Sequence, residues 1–197
     1  MILSSETGGG PESEAQELYY AALEAATKEE QHKLLKKAFK LDPGNVDILL
    51  ALMSHRPVAL PDQIELLRKA VEAGERRLGA KTFKELKGAF WGFPETRPYM
   101  RARAQLAEAL REAGDLEGAV QEWAGMLELN PNDNQGVRYT LLASYLRLGR
   151  LEEANKLFAR YDECAWNTGF AWSRVLAWCL EGKDPKAKKA LAIARSQ

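Results

Sequence analysis

Residues 113–123 read AGDLEGAVQEW and residues 148–158 read LGRLEEANKLF. Both run Gly, a charged residue, Leu, Glu, then an Ala five positions after the Gly and an aromatic four further on. Gly114 and Gly149 are 35 positions apart, as are Leu116 and Leu151, Ala119 and Ala154, and Trp123 and Phe158. Each position has a packing job. Gly in a tight turn between helices adopts a backbone conformation that a Cβ resists. The small Ala lets a paired helix come close, and the large side chain one turn along the same face fills the space beside it. Such a hairpin leaves one apolar face in water, so copies have to stack to cover it.

The phrase recurs outward from this pair. CLEGKDPKAKKALAIA (179–194) places Gly182 before a charge, Ala187 five residues on and Leu191 four beyond that, with a period of 33 from Ala154 to Ala187. KAFKLDPGN (37–45) parallels GMLELNPND (125–133), where Pro131 stops a helix and turns the chain into the next unit. A period near 34 with two helices per unit predicts an all-α, right-handed superhelix of helical hairpins, an α-solenoid. The expected helix pairs are 97–113 with 116–129, 134–148 with 151–162, and 168–181 with 184–195.

The rest of the chain is helical in pattern too, and no stretch alternates apolar and polar residues between turn signals as a strand would. We expect a flexible arm over 1–12, where GGGP punctuates the chain, then a helical domain over 13–197. Within it lie a degenerate repeat at 13–45, an irregular helical linker at 46–98, and repeats at 99–133, 134–167 and 168–195. In the linker, Pro61 and Asp62 open a helix whose stripe is Ile64, Leu67, Val71 and Leu78, and Gly79 closes it.

Equal numbers of basic and acidic residues, 28 each, argue against a general binder of nucleic acid or acidic membranes. The N-terminal MILSSETGGGPESEAQ lacks the basic and apolar blocks of a secretory signal, and no apolar run suits a membrane span, so a cytoplasmic protein is expected. Cys164 and Cys179 have no metal spacing and read as two buried thiols in a reducing setting. His32 and His55 read as surface residues, and Glu29 and Glu30 with the lysines that follow as a solvated helix face with i,i+4 pairs. No nucleophile elbow, phosphate loop or zinc-protease motif occurs, and no cofactor or metal is expected.

The phrasing resembles the tetratricopeptide repeat, well over 99–195 and partly over 14–45, with Met126 standing where Ala is usual. The string FWGFPETRPYMRARAQLAEAL (90–110), with NPNDNQGVRYTLL (130–142), is also similar to bacterial tetratricopeptide proteins related to the eukaryotic suppressor-of-tumorigenicity family. The repeat family usually holds an extended or helical peptide in a concave groove lined by the first helix of each unit. Carried onto this sequence, the groove positions are Arg101, Glu108 and Arg111, then Tyr139, Ala143 and Arg147, then Trp172 and Leu176. The family's two-carboxylate clamp needs Lys and Asn where this chain has Ala104, Glu108, Gly136, Thr140 and Ser173, so a chaperone tail is not the expected ligand.

Two segments stay open between readings. In FWGFPETRPYMRAR (90–103), Phe90, Trp91, Phe93 and Tyr99 crowd around Arg97, Arg101 and Arg103. This is either a pocket for an anion or a partner side chain, or a plug between helical sub-arrays with its arginines paired to Glu95 or Glu108. Near the C-terminus, Trp166, Phe170, Trp172 and Trp178 cluster, and the helix GFAWSRVLAWCLEG (169–182) is apolar on several sides, closed either by 184–195 or by another chain. The expected function is a non-catalytic module that binds a protein or peptide through Arg97, Arg101, Glu108, Arg111, Tyr139, Arg147 and Trp172. The alternative is a structural protomer that dimerises through the tryptophan-rich end; an enzyme lacks a base or nucleophile in the arginine-rich segment.

Overall fold

The computed structural model describes residues 10–55 and 58–197. Among them are ten α-helices and no strand. In chain order these are α1 (Pro11–Glu24), α2 (Lys28–Leu41), α3 (Val46–Ser54), α4 (Leu60–Glu85), α5 (Arg97–Glu112), α6 (Leu116–Leu129), α7 (Val137–Arg147), α8 (Leu151–Tyr161), α9 (Thr168–Leu180) and α10 (Asp184–Arg195). Consecutive helices pair as hairpins, and each hairpin packs on the next through α2 on α3, α4 on α5, α6 on α7, and α7 and α8 on α9. Residues 1–9 of the expected arm lie outside the described residues, and helix already begins at Pro11.

The repeated Gly closes its helix the same way three times. Gly114, Gly149 and Gly182 have φ of 87°, 69° and 68°. The amide that follows each one, at Asp115, Arg150 and Lys183, donates to the carbonyl five residues back, at Leu110, Tyr145 and Trp178, over 2.8–2.9 Å. This left-handed closure satisfies carbonyls that the helix end would otherwise leave without donors. The second helix then starts at once, and at α6 the Asp115 carboxylate accepts from the Gly118 amide at 2.9 Å.

The repeated Ala and the aromatic behind it form the interior. Ala119 and Ala154 are fully enclosed and Ala187 nearly so, and Trp123 and Phe158 are 1% exposed. Phe158 meets the Phe170 ring of the next unit edge-on at 5.7 Å. One continuous core runs from Val46 in α3 to Ala177 in α9, and a smaller cluster of Ala15, Ala38 and Ile48 joins the first hairpin to the second.

Residues 46–98, expected as an irregular linker, supply a hairpin of their own, α3 with α4. Gly79 leaves helical geometry as expected (φ 69°, ψ 160°), but helix resumes at once and runs on to Glu85. That extension carries Phe83 against Phe90 and Tyr99, at centroid distances of 5.1 and 5.2 Å. Two single-turn 3₁₀ segments, Phe90–Gly92 and Pro94–Thr96, then lead into α5, tied by the Thr96 hydroxyl donating to the Phe90 carbonyl. Tyr99 lies so close over α4 that a Cβ on Gly74 would come within 3.0 Å of its ring.

Three minor expectations are corrected. The thiols are not both buried: Cys164 is half-buried and Cys179 exposed, because α10 covers only part of α9. His32 and His55 are half-buried rather than on the open surface, with ring centroids 5.7 Å apart. Glu29 and Glu30 form no ion pair with the lysines of α2, which point outward along the helix.

Because Ala154 has no exposed surface where it faces its paired helix, Ala154→Leu forces overpacking and destabilises the fold by about 1–3 kcal/mol. Denaturant melts check this; an unchanged midpoint contradicts the close helix approach assigned to that position.

Candidate functional site

The expected binding positions divide into those that make contacts within the fold and those that line an open groove. Arg97 and Arg101 each make a contact within the fold. Arg97 Nε donates to the Trp91 carbonyl at 2.9 Å, and its guanidinium lies 5.8 Å from the Trp91 ring centre. Arg101 forks onto Asp47 in the first turn of α3, with Nη2 at 2.7 and 2.8 Å from the two carboxylate oxygens, tying α5 to the preceding hairpin. Arg103 donates to Glu122 of α6 at 2.6 Å and sits 5.7 Å over the Tyr99 ring. None of the three pairs with Glu95 or Glu108, the partners expected from sequence.

The aromatics of 90–103 follow the plug reading for the most part. Phe90 and Tyr99 are buried in the core, Trp91 is half-buried and Phe93 is 38% exposed. Burial pushes the Tyr99 hydroxyl up to about 12, with the nearby Glu75 carboxylate, 3.2 Å away, adding to the effect and Arg103 opposing it.

Glu108, Arg111, Tyr139, Ala143 and Arg147 do come together. With Leu116, Thr140 and Ser144 they line one open groove of about 520 Å³ between α5 and α7. Arg111 and Glu108, one turn apart on α5, pair at 2.8 Å and largely cancel. Arg147, in the last turn of α7, is exposed and forms no ion pair or hydrogen bond among the described residues. Ala143, one turn before Arg147 on α7, contributes a small side chain to the lining.

Trp172 stands one helix further on. It is 33 positions from Tyr139, as Leu176 is from Ala143 and Leu180 from Arg147, the same interval as Ala154 to Ala187. The α9 residues therefore hold the row that α7 gives to the groove. Trp172, Leu176 and Leu180 form one stripe with 46%, 48% and 52% exposure, which α10 does not cover. Trp166, before α9, is 66% exposed.

What sequence reasoning missed is the network that sets the angle of Tyr139. Asp133 (φ 48°) accepts from the amides of Val137 and Arg138 at 2.9 and 3.0 Å, capping the start of α7. Arg138 donates to Asp133 at 2.8 Å and to Glu163 at 2.7 Å, and Tyr139 donates to the other Glu163 oxygen at 2.9 Å. The carboxylate side chains are 1% and 5% exposed. Burial works against the Arg138 charge, but the bonds to Asp133 and Glu163 outweigh it and hold its pKa above the ordinary value. The clue was an Asp one turn ahead of α7, followed by Arg in the helix's first turn; Glu163, 25 positions on, gave none.

With this geometry in place, comparison with known proteins is direct. Residues 110–179 match the family model of the tetratricopeptide repeat. Among solved structures, the MamA protein superposes with a TM-score of 0.55 at 18% identity, over 93% of this chain and 90% of that one. YrrB, described as a TPR protein with an unusual peptide-binding site, gives 0.55 at 17% identity over 91% and 80%. TPR-like repeats of a kinesin light chain from Podosopora anserina give 0.51 at 14% over 93% and 92%. No curated protein matches the chain in sequence. The chain has the helical-solenoid fold of these structures, with the tetratricopeptide repeat matched over residues 110–179. Among the described residues, no helix is long and apolar enough to cross a membrane.

Removing the cation of the buried network leaves two facing carboxylates out of water, so Arg138→Met destabilises by about 3–5 kcal/mol. Thermal unfolding checks this, and a loss under about 0.5 kcal/mol, ordinary for a surface site, contradicts the network's role.

Proposed function

We propose that this protein is a non-catalytic cytoplasmic adaptor that holds a protein or peptide partner on its concave face. The observation that carries the reading is the open groove between α5 and α7, where the carried-over positions Glu108, Arg111, Tyr139 and Arg147 meet around a small-residue floor. Arg97 and Arg101 enter by fixing the junction behind it, through Arg97 Nε on the Trp91 carbonyl and the Arg101 fork on Asp47. Trp172 extends the same row onto α9. Stacked hairpins suit this work because they present a wide, preformed surface without ordering a loop at the moment of binding.

A second reading has an observation of its own. Trp166, Leu180 and Ile193, at 66%, 52% and 42% exposure, leave the C-terminal end apolar enough for a self-assembling protomer that dimerises there. Light scattering across a range of concentrations separates the two, because a strict monomer removes the protomer reading.

Substituting Arg111, Tyr139 and Arg147 together by Ala lowers partner recovery in affinity capture by about tenfold or more, as loss of a central cluster does. Undiminished recovery by a triple variant of native helicity overturns the groove assignment.

A further inference from the structure

The concave row changes character from one helix to the next, and that order describes its ligand. On α5, Glu108 and Arg111 neutralise each other at 2.8 Å. On α7, Arg147 brings a positive charge with no counter-ion among the described residues. On α9, the equivalent row is wholly apolar: Trp172, Leu176 and Leu180, each close to half exposed. A segment lying across the helices therefore meets a lone guanidinium first and an apolar stripe one helix later.

Resting on the groove reading above, we propose that the occupant is an extended segment of a partner protein that carries a carboxylate side chain for Arg147 and a large apolar side chain for the α9 stripe. Charge complementarity selects the acid, since Arg147 is the unbalanced charge of the groove and its planar fork suits a carboxylate. The stripe selects the apolar residue, since Leu176 and Leu180 gain nothing from a polar one. Spacing follows from the helices. Neighbouring axes lie about 10 Å apart, and an extended chain rises about 3.3 Å per residue. The acid and the apolar anchor thus stand about three positions apart. The stepped surface also gives the segment a direction, because reversing it places the acid on leucine and the apolar group on arginine. The small side chain of Ala143 in the groove lining leaves room for the backbone between the two anchors to lie close to α7.

The test is selection of random 12-residue peptides displayed on phage against the full chain, run in parallel on Arg147→Glu, Leu176→Asp and the Ala triple variant of Arg111, Tyr139 and Arg147. All three variants change exposed residues, and circular dichroism confirms that each retains native helicity. The full chain enriches Asp or Glu about three positions from Leu, Phe, Ile or Trp. Arg147→Glu reverses the preference at the acidic position to Lys or Arg by about tenfold, and Leu176→Asp loses the apolar preference while the acid remains. Enriched peptides that lack this pairing, or a preference unchanged by Arg147→Glu, overturn the proposal while leaving groove binding intact if the triple variant fails to enrich them. Enrichment that survives in the triple variant, or no enrichment at all, overturns the groove reading and this proposal with it.

Discussion

No hairpin in this chain can cover its own apolar face, and everything else in the structure follows from how neighbours do it instead. Ala119, Ala154 and Ala187 keep paired helices close, and Trp123 and Phe158 occupy the space that opens between one unit and the next. Phe158 belongs to α8 by sequence but packs edge-on against Phe170 of α9, with the Arg174 guanidinium of α9 3.7 Å over its ring centre. Stability is therefore shared along the stack, in the manner of a one-dimensional array of coupled units.

Polar contacts decide the angles at which the units meet. The Asp133–Arg138–Glu163 network spans the junction between the α5–α6 and α7–α8 hairpins and reaches the loop before α9. Arg101 on Asp47 does the same between α5 and α3. Buried or half-buried ion pairs add little net stability over apolar residues of the same volume, but each tolerates only one geometry. Here that geometry sets the orientation of Tyr139, whose hydroxyl is held by Glu163 while its ring edge rests on Phe170. A side chain held in this way has little rotational freedom left to lose.

The solenoid was legible because its signals are local and repeated. A turn Gly, an Ala five residues later and an aromatic four beyond that lie within ten positions, and the structure puts each in the role its chemistry suggests. The α3–α4 hairpin was harder to read, since Gly79 breaks the helix yet the chain resumes it, and periodicity alone reads that break as an end. The positions of Arg111, Tyr139 and Arg147 in one groove follow from repeat register. The structural employment of Arg101 does not, because Asp47 is 54 positions away and nothing near Arg101 announces it. Cys179 was misread for a related reason: α9 is apolar enough to look enclosed, and only the packing of α10 reveals which side stays open.

The claim that units share one interior is tested most directly by amide hydrogen exchange on Phe158→Ala under native conditions. A single side chain removed from α8 should lower protection in α9, the helix it packs against, as well as in α8, because both lose the same filled space. If exchange quickens in α8 alone while α9 keeps its full protection, the hairpins are independent, and the continuous stack that carries the groove is not what holds this protein together.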